Sequence, residues 1–235
     1  LFLTPLLYHL PKATLAAVVI MAVFGLINFV SVKHIWQTNK HDGIAAIVTF
    51  IVTIGAAPKL DHGIILGAVL AIILYLYRTM SPRVSILGRC KDGALRDIKI
   101  NKDIMTDKHI IAVRFDGSLY FANVSFFEDA MLNAVSKYPD AKYLLVVGDA
   151  INEMDASGEE VVHHLVDHLH DHGMTVVFSG LKRQILEVLQ ASHLYEVIGE
   201  QNIFSTIDSA LDEIYKRLEL DASGEACPLK RLQPE

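Results

Sequence analysis

Charge is what the first third of this sequence lacks: up to Arg78 the chain carries few ionisable side chains, and nearly all of its Asp and Glu lie after Ser81. Cysteine is scarce as well. Cys90 and Cys227 are too few for a disulfide framework and have no metal-ligand spacing. Nor is there a basic excess: 235 residues hold 21 Lys and Arg against 27 Asp and Glu, a formal charge of −6 with no basic stripe, which argues against nucleic acid as a partner. Gly148-Asp149, Gly173 and Ser179-Gly180 follow apolar runs without forming a GxGxxG or Walker sequence. With no enzyme constellation in view, neither catalytic residues nor a cofactor are expected. The sequence opens at Leu1 inside an apolar stretch, with no charged n-region before it, so a fragment is expected rather than a signal peptide.

What is present divides in two. A 52% hydrophobic content beside 20% charged residues is the average of two unlike halves. Before residue 80 come four apolar stretches: Leu1 to Leu10, expected to be the tail of a membrane span, then Ala13 to Val30, Gly43 to Ala57 and Gly63 to Tyr77. Crossing ~30 Å of hydrocarbon takes about 20 apolar residues, and in lipid each backbone amide must be satisfied within its own segment. These stretches are therefore predicted to be helices, three of them full spans. Lys33 and Lys40 lie between the second and third stretches, and Arg78, Arg83, Arg89, Lys91 and Arg96 follow the last. The positive-inside rule then places a 31–41 loop and everything after Arg78 in the cytoplasm. Gly63, Gly67 and Ala71, at four-residue spacing on one helix face, would allow a helix to approach closely, within the same chain or across a dimer. Thr49 and Thr53 make a similar narrow line on the preceding span.

From about Ile98 short apolar runs alternate with amphipathic segments, the pattern of an α/β domain. Strands are predicted over His109 to Phe115, Ser118 to Ala122, Tyr143 to Val147 and Thr175 to Phe178. Helices are predicted from Ser125 and from Ser157, each opening a capping-box pattern, and over Ile207 to Leu218 by apolar periodicity. The expected layout is a partial transmembrane domain over 1–80, a linker over 81–97, an α/β domain over 98–220 and a tail over 221–235.

Five motifs in order carry a resemblance. Leu3 to Leu26 is similar to the segment by which sulfate-permease transporters enter their late membrane helices. Asp61-His62-Gly63-Ile64 with Gly67 resembles the start of their final span. Gly117-Ser118-Leu119-Tyr120-Phe121-Ala122-Asn123 resembles the most recognisable motif of their STAS domain, Asp155-Ala156-Ser157-Gly158 the loop it shares with bacterial anti-sigma-factor antagonists, and Gly199-Glu200 with Ile203-Phe204 its ending. The resemblance implies an anion carrier of two inverted seven-helix halves with a cytoplasmic STAS domain of mixed sheet and flanking helices. It implies as partners an inorganic anion such as sulfate or bicarbonate, the lipid bilayer, a second copy in a homodimer, and a cytosolic regulatory protein or a nucleotide on the STAS domain. This chain matches helices of the gate bundle, so no substrate-binding residue is expected within it. The alternative is a membrane-tethered STAS switch of the anti-sigma-factor-antagonist type.

Within the shared loop, Asp155 and Ser157 are the candidate regulatory residues. In the antagonists the matching serine is phosphorylated at a helix N-terminus, where amides and dipole favour an anion. Here Glu153, Asp155, Glu159 and Glu160 crowd the turn and oppose a dianion, so Ser157 is expected to cap its helix instead. His163, His164, His168, His170 and His172 follow on that helix, with His164 and His168 at a spacing that can hold a metal. They lie off the apolar face, and a solvated surface without metal is the expectation.

Overall fold

The computed structural model describes residues 12–24, 28–56, 60–90, 92–100, 104–218 and 228–229. It falls into two compact units, Leu1–Tyr75 and Leu76–Glu235. The stretch Leu1 to Leu10 lies outside the described residues.

The first unit is helical: α1 (Lys12–Phe24), α2 (Phe29–Thr38), α3 (Lys40–Gly55) and most of α4 (Leu60–Thr79). Lys33 and its neighbours, expected in a loop, are helical. Asn28 caps α2 by accepting from Ser31 N–H, and Asn39 alone separates α2 from α3, accepting from His41 N–H. Two polar caps this close turn a charged connection into a short helix and a helix start. Among the described residues one segment, Asp61–Thr79, is long and apolar enough to cross a membrane, and only 11% of its most apolar window is buried. Ile64, Ile65, Val69, Ile72 and Ile73 are all exposed along it, as are Phe50, Ile51 and Ile54 on α3.

The expected glycine face is occupied from within the chain. A Cβ on Gly63 would lie 2.5 Å from Thr53 Cα, and one on Gly67 would lie 2.3 Å from Thr49 Cγ2. Gly63 and Gly67 are buried, whereas Ala71 is exposed. Thr49 and Thr53 donate their hydroxyls back to Ala45 O and Thr49 O, each at 2.7 Å, which satisfies them without a partner on α4. Small residues against a threonine ridge are the means by which apolar helices associate where hydrophobicity gives no drive.

The second unit holds a seven-stranded mixed sheet. Its strands are β1 (Arg83–Cys90), β2 (Leu95–Asp97), β3 (Ile104–Met105), β4 (Ile110–Asp116), β5 (Tyr143–Val147), β6 (Thr175–Ser179) and β7 (Ile203–Phe204), in the order β2-β1-β4-β5-β6-β7 with β3 also on β1. β1 runs antiparallel to β2, β3 and β4, and β4 to β7 are parallel. The expected linker over 81–97 is thus two strands of the sheet. Its alternation was masked by the polar residues Arg83, Ser85, Arg89 and Asp97, which the fold pairs with one another or with later segments.

Alternate residues of each parallel strand feed two cores. Ile111, Val113, Leu144, Val146, Val176 and Phe178 face α5 (Val124–Val135), α6 (Ala156–Asp171), α7 (Arg183–Ala191) and α8 (Leu194–Ile198). Ile110, Ala112, Leu145, Val147 and Val177 face α9 (Ile207–Arg217), together with Leu229. Burial on both faces explains the uninterrupted apolar runs. Each fully buried side chain of this kind contributes about 1.5–3 kcal/mol.

Candidate functional site

The expected strand over Ser118 to Ala122 is a loop. Leu119 makes a single parallel bridge to Met154, with Leu119 N–H donating to Glu153 O at 2.9 Å and Asp155 N–H donating to Leu119 O at 3.1 Å. Asn123 opens α5, displacing the expected Ser125 start, and its side chain is spent on the loop: Oδ1 accepts from Tyr120 N–H at 3.0 Å and Nδ2 donates to Ser118 O at 2.8 Å. Asn123 is 1% exposed. The Tyr120 hydroxyl donates to Thr79 Oγ1 at the end of α4. The whole Gly117–Asn123 motif is therefore a self-bonded loop lying on the α6 entry.

Asp155, rather than Ser157, caps α6. Its extended backbone turns the chain into the helix while Oδ1 accepts from Gly158 N–H at 2.8 Å. The second carboxylate oxygen, Oδ2, accepts from Phe121 N–H at 2.9 Å. One side chain thus fixes both the helix start and the neighbouring loop through two separate oxygens, which the single, shorter-reaching oxygen of a serine hydroxyl does not provide. Gly158 is required by proximity: a Cβ there would stand 2.7 Å from Leu119 O. Ser157 lies within the first turn, half-buried, and its hydroxyl makes no hydrogen bond among the described residues. Asp155 takes the Gly158 amide through its side chain, and its own amide donates to Leu119 O at 3.1 Å. Two of the donors that would greet an anion at this helix start are already engaged.

The turns after β5 and β6 meet beside the α7 entry. A Cβ on Gly180, whose φ is +68, would fall 1.8 Å from Asp149 Oδ1. Lys182 donates to Asn152 Oδ1, and Gln184 donates to Asn152 O at 2.6 Å. Two open depressions, of about 320 and 450 Å³, lie at the other end of the strands, one beside Tyr143, Thr175 and Arg217 and the other beside Lys108, His109 and Pro139.

The histidines stay on the outer side of α6. His163 sits 3.9 Å from Glu159 and 3.6 Å from Asp167, and the rings of His168 and His172 lie 4.6 Å apart. His172 Nδ1 donates to His168 O at 2.7 Å, ending the helix ahead of Gly173. Among the described residues no group of His, Cys, Asp and Glu is arranged to hold a metal.

A buried polar network escaped the sequence pattern. Asp97 is buried and accepts from Ser85 Oγ at 2.9 Å, Lys99 N–H at 2.9 Å and Arg83 at 3.5 Å. Burial raises its carboxyl pKa, but these hydrogen bonds and the Arg83 charge outweigh it and hold the group below its ordinary value. Arg89 is 4% exposed and paired with Asp208 at 2.6 Å, and Arg96 pairs with Asp92. Three members of the expected juxtamembrane cation cluster are therefore committed to partners inside the second unit.

A helical segment with one helix apolar enough to span a membrane, followed by an α/β domain of mixed sheet whose loop braces a helix start, is the class of architecture the chain presents. Residues 101–210 match the STAS domain family and residues 1–49 match the sulfate permease family. The two matches, in this order, correspond to the C-terminal portion of a sulfate permease (SulP) transporter, the end of the permease domain followed by the STAS domain. It is 26% identical over 222 residues to probable sulfate transporter 4.2 of Arabidopsis thaliana, covering 90% of this chain and 32% of that protein. High affinity sulfate transporter 2 of Stylosanthes hamata is 25% identical over 221 residues, 90% of this chain and 33% of that one. The chain spans about a third of the length of the curated relatives it matches. Its fold resembles the structure of SLC26A9 with a TM-score of 0.74 at 15% identity, over 83% of this chain and 33% of that one. The family is one of membrane transporters.

Proposed function

We propose that this chain is part of a secondary active transporter of sulfate-type inorganic anions, supplying gate-bundle helices and a regulatory STAS domain. The observation that carries the proposal is continuity: a single alignment with sulfate transporters runs through the apolar helices and the α/β domain, over 90% of the chain. The anion site belongs to helices other than these. Among the described residues of α1, α3 and α4 the exposed side chains are mostly apolar, and the ionisable ones, such as the paired Asp61 and His62, stand at the helix ends rather than in mid-span, where an ion pathway is usually marked.

The remaining parts of the reading follow. The protein sits in the plasma (inner) membrane as a multi-pass carrier, with Lys33, Lys40 and the STAS domain on the cytoplasmic side. Residues to about 80 form the membrane part, and the STAS domain follows. The carrier works as a homodimer, and Asp155 and Ser157 lie at the face where a cytosolic protein or a nucleotide would act. Because α3 covers Gly63 and Gly67, the dimer contact rests on other surfaces.

Uptake of labelled sulfate into liposomes reconstituted with the full-length carrier tests the proposal. Saturable uptake is expected, with bicarbonate and chloride as competitors reporting selectivity. Absence of flux for every inorganic anion, from protein shown to be folded, would count against a carrier.

A further inference from the structure

Removing a guanidinium from water is costly unless its donors are matched. Arg89 on β1, 4% exposed, finds three acceptors: Asp208 Oδ1 at 2.6 Å, Gly93 O at 2.6 Å and Leu229 O at 2.8 Å. Across the same pocket the hydroxyl of the fully buried Tyr215 donates to Asp107 Oδ2 at 2.7 Å and accepts from Leu229 N–H at 3.0 Å. Two buried side chains, on a strand and on a helix, thus hold the amide and the carbonyl of one residue. The Leu229 side chain is itself 1% exposed, in the apolar cluster that includes Leu87, Ala210, Leu211 and Ile214.

Backbone groups bonded by fixed partners, with a side chain in an apolar pocket, is the arrangement by which proteins read short peptide segments. The ligand here arrives 140 residues after Arg89 in sequence. Without it, the buried Arg89 Nε–H would lose its acceptor and the apolar pocket its side chain, and a donor stranded in the interior is far costlier than one never paired. That asymmetry makes the pocket one that demands an occupant.

We propose that the cleft between β1 and α9 is a peptide-docking site of the STAS domain, and that Pro228-Leu229 is its resident ligand, held in cis as a detachable strap. The short tether from α9 gives the strap an effective concentration in the millimolar range, so even weak intrinsic affinity keeps the site filled. Occupied, it ties β1 to α9; vacated, it offers a competing apolar segment the same backbone partners.

Hydrogen exchange on the whole chain in detergent, for wild type and Leu229→Asp, is the test, followed by addition of a labelled peptide of residues 225–233. In wild type the Leu229 amide exchanges slowly, and dilution leaves this unchanged. In the variant it exchanges fast while β5 and β6 stay protected. The variant chain binds the peptide at least about tenfold more tightly than it binds a peptide carrying Leu229→Asp, the scale expected from losing one buried leucine. The wild-type chain, its site filled, binds the peptide weakly. Should β5 and β6 lose protection in Leu229→Asp, Leu229→Ala, which empties the apolar pocket without burying a charge, takes its place in the peptide measurement. Equal binding of both peptides, or none, overturns the proposal. Leu229 protection that vanishes on dilution assigns the strap to a second copy and overturns the cis form.

Discussion

Asp155 shows how much one carboxylate can organise. It caps α6, braces the Phe121 amide and so joins the two STAS motifs, while the Ser157 hydroxyl beside it makes no hydrogen bond among the described residues. Asp155→Ala is expected to destabilise the domain by about 2 kcal/mol, a cap of about 1 kcal/mol plus a charge-assisted bond to a second amide. Ser157→Ala is expected to cost under about 0.5 kcal/mol. Chemical denaturation of both variants checks this; a larger loss for Ser157→Ala would return the cap to the serine. Asp97 gives a pH signature. Its folded pKa lies below the unfolded value of about 3.9, so its stabilisation is complete above that value and is lost as pH falls through the depressed folded one. Asp97→Asn should therefore be less stable than wild type at neutral pH, with the gap closing below about pH 4. Melting curves across pH 2–7, compared for the two proteins, read the convergence.

At the scale of elements, the α3–α4 contact is decided by two missing side chains. Gly67 stands where any Cβ would meet Thr49, at 2.3 Å. Gly67→Leu should force the helices apart at a cost of about 1–3 kcal/mol or more and yield misfolded or proteolysed protein. The complementary outcome, a folded monomer in place of a wild-type dimer on native gels, would instead place this face at a subunit interface. The periodicity of α6 and α9 and the buried strands β5 and β6 were legible in sequence, since apolar residues recur at 3.6 spacing or run unbroken. β1 was not legible. Its polar residues Ser85 and Arg89 read as a solvated linker, yet they point into buried networks whose partners, Asp97, Asp208 and Leu229, are brought to them only by folding.

For the whole molecule, the sheet of the second unit begins upstream of the expected residue 98, at Arg83. β1 sits between β2 and β4 and carries the register Val84↔Phe115 and Ile86↔Val113. A fragment of residues 95–220 lacks that strand, exposes the β4 edge and leaves Asp208 without Arg89. It is expected to show no cooperative thermal transition, whereas residues 81–235 should unfold cooperatively as a domain with its own core. Calorimetry of the two fragments decides between them, and a sharp transition from the shorter one would restore 81–97 as a linker.

The sequence by itself determined the division into an apolar helical part and an α/β part, because hydrocarbon and water impose opposite compositions on chains that fold in them. It also carries the family resemblance, through five motifs in a fixed order. Only the tertiary structure decided which residue caps α6, which cations are buried and what fills the glycine face of α4. Those outcomes depend on groups far apart in the chain. Asp155 gains its second bond from Phe121, Arg89 its acceptors from Asp208 and Leu229, and Gly67 its neighbour from Thr49. A polar residue reads in sequence as a surface residue, and becomes a buried anchor only when folding brings it a matching partner.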